Sequence, residues 1–138
     1  MFEFHGWLRV VVNDSDDADP PVLREREAAA QTAVQQLIAD YTDDLSLMEL
    51  RQSGNGLMTL IAHGLRNHRQ REAMTLFESV AKALPDSYGL LYYHDDEHPA
   101  ESNAFRVLRF VRGRTTIHDD FLLSPVIPTI EDDETILP

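Results

Sequence analysis

Polar and apolar residues alternate from Phe2 to Val12. Phe2, Phe4, Gly6, Leu8, Val10 and Val12 fall on one side, and Glu3, His5, Trp7, Arg9 and Val11 on the other. A period of two is that of a strand with one buried face. The acidic stretch Asn13-Asp14-Ser15-Asp16-Asp17-Ala18-Asp19 reads as a loop, with Asp19 placed to cap a helix whose first turn holds Pro20 and Pro21. From Val22 to Tyr41 the apolar positions Leu23, Ala30, Val34, Leu37, Ile38 and Tyr41 recur at helical spacing, opposite Glu25, Glu27, Gln31, Gln35 and Asp40.

Two short strand-like runs follow, Leu45 to Gln52 and Leu57 to His63, separated by Ser53-Gly54-Asn55-Gly56. Gly-Asn and Asn-Gly supply the positive φ angles of a tight hairpin. A second helix is expected over Asn67 to Leu84, with Ala73, Leu76, Phe77, Val80 and Leu84 as its stripe and Pro85 at its end. Ser87 to His94 returns as a strand, Asp95-Asp96-Glu97 turns, and Ala104 to Val111 with Thr115 to His118 form a last hairpin around Gly113. The residues from Leu122 to Pro138 carry Pro125, Pro128 and Pro138, which predicts an extended tail rather than a helix.

This order predicts an α+β fold: an antiparallel sheet with two helices on one face, a ferredoxin-like βαββαβ core, then a C-terminal hairpin and the extended tail at 122–138. With 138 residues and no linker or repeat, residues 1–138 form a single domain. Such a sheet leaves its second face open unless something covers it. Trp7, the one tryptophan, lies on that polar face beside His5 and Arg9, as a contact anchor or as a residue buried by Leu122, Leu123, Val126 and Ile127 of the tail. In the middle hairpin the expected faces are Met48, Leu50 and Ile61 on one side and Leu47, Leu60 and Ala62 on the other. Both are apolar, which calls for cover from the tail, a second copy (a homodimer) or a partner.

Charge changes the picture. Twenty-four acids against 12 bases leave a net charge of −12. Such a field disfavours direct nucleic-acid contact and steers basic partners, while also serving plain solubility. Arg66, Arg69 and Arg71 near the second helix, and Arg106, Arg109, Arg112 and Arg114 in the last hairpin, are expected to pair with internal acids. No apolar run approaches a membrane span, no basic n-region or cleavage site opens the chain, and cysteine is absent; the cytoplasm is the expected location.

Catalytic patterns are missing: there is no cysteine nucleophile, Gly-x-Ser-x-Gly elbow, phosphate loop or His-Glu-x-x-His. The chain is therefore read as a non-enzyme without cofactor or metal. His94-Asp95-Asp96-Glu97-His98, with His118-Asp119-Asp120, has metal-binding chemistry, but consecutive polar residues after a strand form a solvated turn more often than a site.

Three strings in order resemble the immunity protein 7 family of bacterial polymorphic toxin systems. They are Phe2-Glu3-Phe4-His5-Gly6-Trp7; Pro85-Asp86-Ser87-Tyr88-Gly89-Leu90-Leu91-Tyr92 followed by Asp95-Asp96-Glu97; and Asp119-Asp120-Phe121-Leu122-Leu123-Ser124-Pro125 with Val126-Ile127-Pro128 and Ile130-Glu131-Asp132. The resemblance runs from Met1 to about Asp133. It implies an α+β protein that neutralises a cognate toxin by tight binding. A toxin acting in the cytoplasm fits the missing signal peptide, and a basic nuclease fits the acidic charge. The expected contact residues are Trp7, Asp16, Asp17, Asp95, Asp96, Glu97, Asp119 and Asp120. Two other classes predict different behaviour: a small-molecule-binding regulatory domain of ferredoxin-like fold, and a metal-dependent enzyme built on His94 to His98.

Overall fold

The computed structural model describes residues 1–12, 19–41 and 46–125. Its elements run β1 (Phe2–Val10), α1 (Pro20–Tyr41), β2 (Ser46–Gln52), β3 (Met58–Arg66), α2 (Glu72–Ala83), β4 (Tyr88–Asp95), β5 (Arg106–Val111) and β6 (Arg114–Asp119). The six strands form one antiparallel sheet in the order β2-β3-β1-β4-β5-β6. The α+β expectation holds.

The alternation in β1 is reproduced in burial. Phe2, Phe4, Leu8 and Val10 are buried, and they meet Val34 of α1 and Ala73, Leu76, Phe77 and Val80 of α2 in one core. Leu60, Leu91, Leu108 and Phe110 carry that core across the sheet. Both helices thus cover the same sheet face, as the two apolar stripes require. In α2, Glu72 in the first turn and Lys82 in the last also suit the helix dipole.

Glycine makes the central pairing possible at one point. A Cβ on Gly89 would sit 2.1 Å from the Trp7 carbonyl oxygen and 2.7 Å from the Leu8 Cα. Strand β4 approaches β1 there more closely than any side chain allows.

Two expectations need correction. The second helix begins at Glu72, not Asn67, because β3 continues to Arg66 to pair with the start of β1 (Phe2 opposite Arg66). Arg66 therefore belongs to a strand, Arg69 to the connection, and only Arg71 sits at the helix N-cap. The middle hairpin is also phased differently. Met48 lies opposite Ala62 and Leu50 opposite Leu60, so these four share the helix-covered face; Leu47 and Ile61 share the other. The connection from Ser53 to Leu57, closed by the Ser53 N–H to the Leu57 carbonyl (2.9 Å) with Gly56 at φ 82°, sets this register. Its length, rather than the alternation inside each strand, decides which residues face each other.

The last hairpin turns through Arg112 (φ 53°) and Gly113 (φ 72°), two consecutive positive φ angles that match the right-handed twist of the strands. Of the expected tail, residues 122–125 are described and lie outside any helix. The remainder, and Asp16 and Asp17, lie outside the described residues.

Candidate protein-binding face

The helix-free face is built from strand registers. Across its middle run Glu49, Ile61, Trp7, Leu90, Arg109 and Thr116, one residue from each strand. The neighbouring row is Leu47, His63, His5, Tyr92, Val107 and His118. Period-two alternation points these side chains away from the two helices, and no described helix or strand lies over them; Val107 alone of the two rows is buried.

The face is apolar for an exposed surface. Trp7 is 42% exposed and Tyr88 47%, and their rings meet edge to face with centroids 6.2 Å apart at 88°. Leu47 and Leu65 are exposed toward the β2–β3 side. The His5 and His63 rings stack at 6.2 Å, and His5 Nε2 lies 2.7 Å from Glu3 Oε1. Two hollows open here. One of about 430 Å³ is lined by His5, Trp7, Thr59, Ile61, His63 and Tyr92. The other, about 220 Å³, lies between His5, Tyr92, Phe105 and Leu123. Leu123 thus reaches the face, but Leu122 is exposed and Trp7 is left open by residues 121–125. Val126 and Ile127 lie outside the described residues.

The acidic candidates among the described residues gather at one end of the sheet, where β1 and β5 begin and β4 and β6 end. Phe2 pairs with Asp95, Tyr93 with Arg106, and Arg106 with Asp119. Each of these carboxylates has a partner within the fold. Asp95 is buried; its Oδ1 accepts the Glu97 N–H at 3.2 Å, and its Oδ2 lies 3.8 Å from Arg69 Nη1. Arg69 is held in turn over the Tyr93 ring, 5.3 Å from its centroid. Asp96 accepts a hydrogen bond from the Met1 ammonium, which raises that group above its ordinary pKa of 8.0. Glu97 Oε1 is 2.8 Å from His68 Nδ1, Asp119 pairs with Arg106, and Asp120 Oδ2 accepts the Leu123 N–H at 3.1 Å. Of the group, Asp96, Glu97 and Asp119 remain exposed and give this end a solvent-facing negative rim.

The histidine-rich turn does not converge. His94 is buried, with Nε2 2.7 Å from the Ser102 carbonyl oxygen, so that nitrogen donates. Asp95 follows it on the strand and therefore points to the other sheet face. His118 Nε2 contacts Thr116 Oγ1 at 2.7 Å. Among the described residues, no group of three or more His, Asp and Glu is placed to hold a metal ion.

The alternation of β1 puts Trp7 on the outward face, as observed, but gives no sign of its companions. The β4 run Tyr88 to Tyr93 is apolar or aromatic at nearly every position, and only strand register brings Ile61, Leu90, Tyr88 and Tyr92 beside Trp7.

Among the described residues no helix is long and apolar enough to cross a membrane. A family model described as Immunity protein 7 matches residues 1–132 of the chain. No curated protein and no solved structure matches it.

Proposed function

Because the chain belongs to the Immunity protein 7 family, we propose that it binds and neutralises a cognate toxin by stoichiometric protein–protein inhibition, without catalysis of its own. The observation that carries the contact site is the half-exposed Trp7–Tyr88 pair on a sheet face that no described helix or strand covers. Aromatic anchors at the centre of a patch with a charged margin are the usual anatomy of a protein interface. Trp7 supplies the anchor, and Asp96, Glu97 and Asp119 supply the charged margin at one end. Asp120, and Asp16 and Asp17 in the acidic stretch of the sequence, add to the negative charge.

The toxin that best suits a partner of net charge −12 is a basic enzyme, and enzymes that cut nucleic acids are commonly basic because their substrate is a polyanion. A nuclease acting in the cytoplasm is therefore the proposed target, with inhibition in the same compartment. The acidic rim accelerates encounter, and the aromatic centre slows dissociation.

The test is calorimetric titration of the protein into the C-terminal domain of the toxin-like protein encoded beside it, at low and high salt. One-to-one binding at nanomolar affinity or tighter, weakening steeply with salt, is expected. No binding at either salt, with both proteins folded, refutes the toxin reading. Tight binding with no salt dependence retains an immunity role and removes the basic nuclease from it.

A further inference from the structure

The molecule presents a second surface, at the far edge of the sheet from α1. Strand β6 is outermost, and five of its six side chains are exposed. The Asp120 N–H donates to the Phe105 carbonyl at 3.1 Å. In an antiparallel ladder the bonded residues alternate, so Arg114, Thr116 and His118 turn their backbone groups toward β5. The N–H and C=O groups of Thr115, Ile117 and Asp119 point outward, where no described strand meets them.

Natural edge strands are usually protected by proline, charged side chains, a bulge or a covering element. Strand β6 (Arg-Thr-Thr-Ile-His-Asp) has no proline, its register to β5 is unbroken, and its formal charges, Arg114 and Asp119, stand at its two ends and leave the stretch from Thr115 to Ile117 without one. At its middle, Ile117 is 53% exposed, beside a cleft of about 410 Å³ that it lines with Met74, Leu108 and Thr115. The other edge differs: α1 packs along β2, and Arg51 Nε there lies 3.1 Å from Glu49 Oε1.

We propose that β6 pairs antiparallel with β6 of a second copy of this chain, about a two-fold axis at Ile117. The strand's own sequence selects that register. A two-fold axis normal to the sheet sets residues of like parity opposite each other. Centred on Ile117, the outward-bonding residues Thr115, Ile117 and Asp119 exchange backbone hydrogen bonds with their counterparts, and the two Ile117 side chains meet. On the other face Arg114 falls opposite Asp120, and Thr116 opposite His118. Centring on Thr116 instead sets Arg114 opposite His118 and Asp119 opposite Gly113 in the turn, and the charge match is lost. The dimer joins the two sheets edge to edge and presents both helix-free faces on the same side. It rests on β6 alone and stands apart from the identity of any toxin.

The chain has no cysteine, which permits a direct test. A hydrogen-bonded antiparallel pair holds its Cα atoms ~5.5 Å apart, within disulfide range, so Ile117→Cys places one thiol against its twin across the axis. Mild oxidation is expected to link Ile117→Cys as a dimer at least tenfold faster than Ser79→Cys, an exposed control on α2. Sedimentation of the wild-type chain at about 0.5 mM should give twice 15.7 kDa. Ile117→Lys should return the monomer mass with an unchanged circular dichroism spectrum. Arg114→Asp alone should weaken the dimer, and Arg114→Asp with Asp120→Arg should restore it. A monomer mass for the wild type at that concentration overturns the proposal. Equal rates of oxidation at positions 117 and 79 overturn it too, as does a dimer that survives Ile117→Lys.

Discussion

Replacing Trp7 by alanine tests the helix-free face most directly. Trp7 retains 42% of its surface in the free protein. On a side chain of ~250 Å², that leaves roughly 100 Å² to be buried by a partner. At ~25 cal/mol per Å², the lost contact is worth about 2.5 kcal/mol, or roughly 60-fold in Kd. The same substitution removes the edge-to-face contact with Tyr88 and uncovers Ile61 and Leu90, its cross-strand neighbours, so the free protein also loses some stability. Trp7→Phe separates the two effects by keeping an aromatic over the same neighbours while shortening the reach to a partner. Calorimetry and dissociation rates should show the loss mainly as faster dissociation. A Kd within threefold of wild type, measured on a Trp7→Ala protein with a native circular dichroism spectrum, would refute Trp7 as an anchor.

Gly89→Ala should be among the most damaging small changes in the chain, at about 3 kcal/mol or more by chemical denaturation, because its Cβ meets backbone rather than a side chain that can swing aside. A loss under 1 kcal/mol would show that β1 and β4 can separate cheaply. Asp96→Asn with Glu97→Gln should slow association with the toxin several-fold at low salt and flatten its salt dependence, leaving the dissociation rate nearly unchanged. Asp95 is left intact in that variant because its carboxylate ties the turn to Glu97 and Arg69. The Met1 ammonium, whose pKa is raised first by the hydrogen bond to Asp96, contributes stability fully below pH 8.0 and loses it as pH climbs through the raised value. The pH profile of its selective acylation should therefore lie above 8.0 in the wild type and fall back in Asp96→Asn; identical profiles would remove that contact.

Much of the fold is written in local pattern. The alternation of Phe2 to Val10, the stripe from Val34 to Tyr41 and the stripe from Ala73 to Leu84 each record one element's buried face. An element is apolar on the side where water is excluded, whatever its neighbours are. The Gly113 turn is local for the same reason, since positive φ angles restrict which residues serve there. The three strings that resemble the Immunity protein 7 family likewise need no coordinates, and the family match spans residues 1–132.

What only the tertiary structure decided concerns relations between elements. Each strand of the middle hairpin shows its own alternation, but the five residues from Ser53 to Leu57 set their relative phase. One residue more or fewer would have moved Ile61 to the core. The start of α2 shifts to Glu72 because Phe2, more than sixty positions away in sequence, recruits Arg66 into the sheet. The acidic turn reads as a uniform run of negative charge. Arg69, His68, Arg106 and the Met1 ammonium then divide it into the buried, structural Asp95 and an exposed rim. Trp7 is legible as an outward residue of β1. Its exposure, and the company of Tyr88, Tyr92 and Ile61, exist only once three strands align, because a surface patch belongs to a sheet and not to any one of its strands.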